Sequence, residues 1–168
     1  MVYLIGFMGV GKTTLGKKLA SKHNVNFIDT DQEIEITANK NILDIFQEDG
    51  ENHFRKLETS ILKMIPKNNI VACGGGLPAY NNNMDFIKIS GISIYLKATK
   101  EEIFMRLSND SKKRPLIQNK SNKDLKNFIK KTLSEREKFY SMADYTIETS
   151  NLSEKAILRK INSLVISI

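Results

Sequence analysis

GFMGVGKTTLG, residues 6–16, follows directly on the apolar run Val2–Ile5 and leads into Thr14–His23, where Leu15, Leu19 and Ala20 recur at helical spacing. The order is strand, tight loop, helix. Gly6, Gly11, Lys12 and Thr13 satisfy the pattern G-x-x-x-x-G-K-[ST]. In that pattern the loop's N–H groups curl around phosphate oxygens and the helix offers its free N–H groups to the anion. Gly9, Val10, Gly11, Lys12, Thr13 and Thr14 are therefore the nucleotide-binding candidates. Lys12 would reach the β- and γ-phosphates, and the Thr13 hydroxyl would take a position on Mg²⁺. A dinucleotide fingerprint competes for the same stretch, because Asp29 or Asp31 could imitate its acid some twenty residues on. After Gly9 and Gly11 its third glycine belongs at position 14, which is Thr14. The loop is read as a site for ATP or GTP.

With 168 residues, 40% of them hydrophobic, the chain suffices for one core and one domain spanning 1–168, with room for lids but not for a separate effector domain. No apolar run approaches membrane-spanning length, so a cytoplasmic protein with no membrane partner is expected. Cys73 is the only cysteine, which excludes an intrachain disulfide and a cysteine-based zinc site. The net charge of +7 arises from 21 lysines scattered along the chain against five arginines. Without a basic tail or a basic-aromatic stripe it reads as solvated surface and as a field for an anionic nucleotide, not as a nucleic-acid footprint. No apolar face stands out, which suits a monomer. The scarce arginines, Arg55, Arg106, Arg114, Arg136 and Arg159, raise the question of whether a planar two-pronged donor is needed, and four of the five fall in or beside segments that look functional on other grounds.

"VNFIDTD" (25–31) reads as a second strand delivering two acids at its end, and 32–65 as largely helical with Gly50 interrupting. "NNIVACGGG" is a third strand, the Pro78–Ile89 region a loop before a helix, and "ISIYLKAT" (92–99) a fourth strand. Thr99 and Glu102 form a capping box for the next helix. The polar stretch 108–123, which contains Pro115, reads as a mobile loop. A helix over about 123–140, a short strand "YTIET" and a helix over about 153–165 complete the chain. Such alternation predicts a parallel sheet wrapped by helices, with ligands at the C-terminal ends of the strands.

The chemistry-bearing residues cluster at those ends. One of Asp29 and Asp31 can hold Mg²⁺ through water near Thr13 while the other accepts from a hydroxylated substrate; one of them could instead merely cap the following helix. "CGGGLP" (73–78) offers exposed backbone N–H groups and dihedrals closed to other residues. In "FRKLE" (54–58), Glu58 lies on the same helical face as Arg55 and can orient its guanidinium. Arg136 in "SEREKFY" can join Arg55 in gripping a carboxylate. With Asp31 for hydroxyls, Gly75 and Gly76 alongside, and two arginines, the acceptor reads as a small polyhydroxy acid. "KKRPLI" (112–117) puts Arg114 on the loop that could close over the transferred phosphoryl, and Arg106 is positioned for the base or ribose. Cys73 is expected to be buried, His23 and His53 to be surface, and Phe46 and Phe54 to serve the core or wall the acceptor pocket.

Taken in order, "GFMGVGKTTLGKKLA", "FIDTD", "IFQEDGENHFRKLE", "CGGGL", "RPL" and "SEREKFY" resemble the shikimate kinase family along nearly the whole chain. The resemblance implies a P-loop, NMP-kinase-like three-layer α/β/α fold. Its five-stranded parallel sheet would have the order 2-3-1-4-5, with a shikimate-binding region at 32–60 and a mobile lid at 108–123. It implies transfer of the γ-phosphoryl of MgATP to the 3-hydroxyl of shikimate, giving shikimate 3-phosphate and ADP, in aromatic amino-acid biosynthesis. It makes Lys12 and Arg114 phosphate-stabilising, Thr13 and Asp29 the Mg²⁺ site, and Asp31 the acid on the reacting hydroxyls. Arg55, Arg136, Gly75 and Gly76 would hold shikimate, and Arg106 would stack near adenine. Val10 departs from the smaller residue usual there, and Met8 is one of several residues tolerated at its position. A gluconate or nucleotide kinase of the same fold is the nearest rival. A GTP-dependent switch would need an N-K-x-D segment, and "NKSNKD" (119–124) has asparagine at residue 122.

Overall fold

The computed structural model describes residues 1–109, 117 and 120–166. Strand β1 (Val2–Ile5) is buried at all four positions because it is the middle of the sheet, and a central parallel strand covered on both faces must be apolar throughout. The backbone then turns through Gly6, Gly9 and Gly11, all at positive φ, into helix α1 (Lys12–His23). Gly11 supplies the N-cap at φ 96, a conformation that is strained for any residue with a Cβ. Strand β2 (Asn26–Asp29) leads into α2 (Thr30–Ala38), so the second strand ends at Asp29 and Asp31 belongs to the first helical turn.

The next segment is helical almost without a break: a short turn α3 (Ile42–Asp44), a π-turn at Ile45–Asp49, and α4 (Gly50–Met64) entered through Gly50 at φ 81. Strand β3 (Asn69–Ala72), a 3₁₀ turn at Leu77–Ala79, α5 (Asn83–Ser90), β4 (Ile92–Lys97) and α6 (Lys100–Asn109) follow. The described chain resumes in full with α7 (Asn122–Tyr140), β5 (Tyr145–Glu148) and α8 (Glu154–Ile166). Of the stretch expected to form a lid, Ser108 and Asn109 close α6 and Asn122 and Lys123 open α7, while Ile117 is buried. Residues 110–116, 118 and 119, Arg114 among them, lie outside the described residues.

All strand pairings are parallel and the order is β2-β3-β1-β4-β5, as the resemblance implied. Since β1 lies between β3 and β4, the chain reverses its direction of winding beside β1, which opens a crevice at the C-terminal ends of β1 and β3. The main core runs along the sheet, from Tyr3, Leu4 and Ile5 through Leu15, Leu19, Val71 and Ile94 to Tyr140 and Ile161. A second, smaller core of Ile34, Ile45, Phe54 and Ile61 binds α2, the π-turn and α4 into a satellite at one side.

Two local expectations are corrected. Thr99 Oγ1 does accept from the Glu102 N–H at 3.2 Å. The reciprocal arm of the capping box is absent: the Thr99 N–H donates to Ser150 Oγ at 2.9 Å and the Glu102 carboxylate pairs with Arg106. The Cys73–Pro78 turn needs no positive dihedral at its glycines, since among the described glycines only Gly6, Gly9, Gly11 and Gly50 adopt one. Asparagine meets the other left-handed positions (Asn24, Asn39, Asn68, Asn81, Asn82 and Asn151), with Asn24 and Asn39 closing α1 and α2.

Candidate active site

The phosphate loop encloses, with Asp29, Asp31, Cys73 and Gly75, a cavity of about 250 Å³. Gly9, Gly11, Lys12, Thr13 and Thr14 line it; Val10 instead turns into the core, 1% exposed. Lys12 Nζ donates to the carbonyls of Gly6 and Phe7, each at 2.9 Å, so the lysine lies across its own loop. Thr13 Oγ1 donates to Asp29 Oδ2 at 2.7 Å, and Asp29 Oδ1 accepts the Asp31 N–H at 3.1 Å. Asp29 therefore performs both duties left open by the sequence: it caps α2 and presents a carboxylate beside the Thr13 hydroxyl. Two hard oxygen groups at the phosphate cavity suit Mg²⁺, which keeps several waters and takes further oxygens from substrate phosphates. No cluster of three or more His, Cys, Asp or Glu that could hold a metal exists among the described residues. Arg106 Nη1 donates to the Gly9 carbonyl at 3.2 Å, which brings α6 against the loop from the nucleotide side.

On the acceptor side each glycine of the triplet faces a different functional group. A Cβ at residue 74 would overlap Asp31 Oδ1, with its Cγ at 3.2 Å. At residue 75 it would stand 3.5 Å from Arg136 Nη1 and 3.4 Å from the Met8 backbone nitrogen. At residue 76 it would overlap Arg55 Nη1, with Cζ at 3.0 Å. A side chain at 74 or 76 would collide with the Asp31 carboxylate or the Arg55 guanidinium, so these two glycines let an acid and a guanidinium approach the backbone next to the phosphate loop, whereas a Cβ at 75 would meet Arg136 at ordinary contact distance. That close approach replaces the dihedral argument.

Arg55 is only 8% exposed. Its Nη1 donates to Glu58 Oε2 at 2.7 Å, and Nη2 and Nε donate to Glu51 Oε1 at 2.8 and 3.2 Å. The Tyr80 ring stacks on the guanidinium with its centroid 3.9 Å away, and Phe54 and Phe46 flank it at 5.3 and 6.0 Å. The two phenylalanines therefore serve the satellite core and wall the arginine together. Burial pushes the Glu58 carboxyl up to about 7 against the opposing pull of Arg55, with Asp31 raising it further. Burial opposes the Arg55 charge too, but Glu58 and Glu51 outweigh it and hold the guanidinium firmly protonated.

Arg136 projects from α7, half-buried, one turn before Tyr140. The Tyr140 hydroxyl accepts from Arg136 and donates to the Gly75 carbonyl. Burial, opposed by Arg136, pushes the phenol up to about 12, so it remains a donor.

Lys12, Thr13, Asp29, Asp31 and Gly75 thus meet at one cavity, Arg55, Gly76 and Arg136 flank it, and Arg106 backs the loop. Arg114 lies outside the described residues. Cys73 is 1% exposed, and burial raises its thiol far above the ordinary range. His53 is exposed; His23 is half-buried, its Nε2 2.9 Å from Asn162 Oδ1. Sequence reasoning missed Glu51, Tyr80 and Tyr140. The signal for Glu51 was present, since it stands one helical turn before Arg55 on α4. Nothing local marks Tyr80, which reaches Arg55 from 25 positions away.

A family model described as shikimate kinase matches residues 8–165. The chain is 41% identical over 163 residues to the shikimate kinase of Azobacteroides pseudotrichonymphae, covering 95% of this chain and 96% of that one. To that of Persephonella marina it is 42% identical over 162 residues, covering 95% of each. Among solved structures, the shikimate kinase of Bacteroides thetaiotaomicron superposes with a TM-score of 0.93 at 35% identity, over 98% of this chain and 97% of that one. Shikimate kinase from Acinetobacter baumannii in complex with shikimate superposes at 0.90 and 36%, over 99% and 92%.

Proposed function

The chain belongs to the shikimate kinase family and transfers a phosphoryl group from ATP to shikimate, and from that premise we propose how its own residues divide the work. The observation that carries the proposal is the serial apposition of Gly74 to Asp31, Gly75 to Arg136 and Gly76 to Arg55, beside a phosphate loop that touches the same Gly75. Arg55 and Arg136 hold the shikimate carboxylate, the glycines let the ring approach the backbone, and Asp31 meets the 3-hydroxyl. Asp31 accepts the hydroxyl proton or orients the oxygen toward the γ-phosphoryl. Gly9 to Thr14 cradle the phosphates, Lys12 leaves its loop carbonyls for the transferring group, and Arg106 lies against the base or ribose. Thr13 and Asp29 hold Mg²⁺, which when bound neutralises charge on the phosphate oxygens. The expectation that Arg114 adds positive charge to the phosphoryl belongs to the same proposal.

We further assign residues 32–60 to shikimate binding within one catalytic domain, acting as a monomer in the cytoplasm without nucleic-acid or membrane partners. Among the described residues no helix is long and apolar enough to cross a membrane. The test is ADP release measured over shikimate, quinate, gluconate and nucleoside monophosphates, with and without a chelator. Shikimate should be the preferred acceptor, magnetic resonance should find the phosphate on the 3-oxygen, and the chelator should abolish a turnover that Mg²⁺ restores. Preference for gluconate or a nucleotide overturns the assignment of the two arginines.

A further inference from the structure

The side-on fork of Arg55, the paired Nε and Nη2 donors best suited to a carboxylate, is taken by a carboxylate of the protein itself. Glu51 Oε1 accepts from both, at 3.2 and 2.8 Å, and also from the Tyr80 hydroxyl at 3.3 Å. The two glutamates on Arg55 are not equivalent. The Glu58 side chain is 1% exposed and fixed in the interior, whereas the Glu51 side chain is 54% exposed, in the first turn of α4 next to Gly50. Around Gly50 nothing lies within 4 Å of where a Cβ would stand. Glu51 also feels the Arg136 charge, so its carboxylate rests within the field of both arginines.

We infer that Glu51 is a stand-in for the substrate: its carboxylate occupies the Arg55 fork in the empty enzyme and is displaced to solvent when the carboxylate of shikimate arrives. This rests on the proposed role of Arg55. The exchange swaps one charge-assisted pair for another on the Nε/Nη2 edge while Glu58 stays on Nη1, so that edge of the buried guanidinium keeps a carboxylate partner. Release of Glu51 is inexpensive because its side chain is already half in water. The device makes selection for the acid sharper. A neutral analogue gains nothing by entering, because it cannot satisfy the arginine it would have to uncover. The Tyr80 ring covers the guanidinium face throughout, so the fork edge is the route by which a ligand carboxylate enters.

Titration calorimetry with shikimate and with its methyl ester, on the wild type, Glu51→Gln and Arg55→Lys, separates the possibilities. Glu51→Gln should bind shikimate about three- to tenfold more tightly, a gain of about 0.7–1.4 kcal/mol, and bind the methyl ester no better than wild type does. Unchanged or weaker shikimate binding by Glu51→Gln, with Arg55→Lys weakened, overturns the stand-in while leaving Arg55 as the carboxylate grip. An equal gain for acid and ester also overturns it, because the effect is then not competition between carboxylates. Shikimate binding unaffected in Arg55→Lys removes the role of Arg55 and the inference with it.

Discussion

The two halves of the site are made of different material. The phosphate half is mostly backbone: a loop following β1 and the N-terminus of α1, joined by one lysine folded onto two carbonyls of that loop and by the Thr13–Asp29 pair. The acceptor half is side chain: an aspartate from α2, an arginine from α4 clamped by two glutamates and stacked by a tyrosine, and another arginine from α7. Backbone donors are positioned by the fold and cost no rotamer entropy when the ligand arrives. Side-chain donors must be held by neighbours, and each neighbour is another way to fail. The glycine triplet is where the two constructions touch.

The sharpest way to break the comparison is to remove one group from each half and ask which substrate suffers. Asp31→Asn keeps the size and loses the charge, so turnover should fall by about two to four orders of magnitude while ATP affinity persists. Lost ATP affinity with shikimate binding retained would exchange the roles of Asp29 and Asp31. Lys12→Ala should lower turnover by at least about two orders of magnitude with the thermal midpoint nearly unchanged, because the charge acts on the phosphoryl and not on the core. Near-normal turnover in the folded variant would sink that assignment.

Gly76→Ala should act on the acceptor half alone. Its Cβ overlaps a guanidinium that Glu51, Glu58 and Tyr80 hold in place. Overpacking costs about 1–3 kcal/mol, so the KM for shikimate should rise roughly five- to 150-fold with that for ATP unmoved. A comparable rise for ATP would mean that the triplet serves both halves equally. Arg136→Lys retains charge and loses the fork, and should weaken shikimate binding by about 1–2 kcal/mol. Equal binding by calorimetry would remove Arg136 from the carboxylate grip.

The smallest effect concerns stability. Glu58 titrates at about 7 in the folded protein against an ordinary 4.5, so the native state retains a proton that the unfolded chain releases. That stabilisation is complete below about pH 4.5 and is lost as the pH rises through 7, a difference on the order of 1–3 kcal/mol. Urea unfolding at pH 5 and pH 8 should find this loss in the wild type and not in Glu58→Gln. Parallel profiles would show that Glu58 stays ionised on Arg55 throughout.

The same contrast explains what was readable from sequence. A backbone site occupies consecutive residues, so residues 6–16 announced their strand, loop and helix, and the apolar runs at 2–5, 70–72 and 92–96 announced a parallel sheet. A side-chain site is assembled by the topology, and only the supports one helical turn away carry a local mark, as Glu51 and Glu58 do for Arg55: Tyr80 meets Arg55 and Tyr140 meets Gly75 only because α4, the 3₁₀ turn and α7 converge. The triplet was legible as a site, but one of its two reasons fails: no glycine in it has a positive φ, and the structure supplies a different reason at 74 and 76, where a Cβ would collide with Asp31 or Arg55. Asp31 was assigned to a strand that ends two residues earlier, because the Asp29 side chain caps a helix there. The capping box failed for one local and one tertiary reason: Arg106, one turn on in the same helix, claims the Glu102 carboxylate, and Ser150 takes the Thr99 N–H.

Cys73 sits under the phosphate cavity at the end of β3, its N–H bonded to the Leu4 carbonyl at 3.0 Å and its thiol both buried and held in the unreactive protonated form. As the chain's sole cysteine it is a built-in clock for the crevice. A thiol reagent can label it only during excursions that part β3 from β1 or lift the loop above it, so the labelling rate reads the frequency of those openings. Nucleotide bound at the loop should slow the clock in proportion to its occupancy, and a ligand confined to the Arg55 side should leave it running.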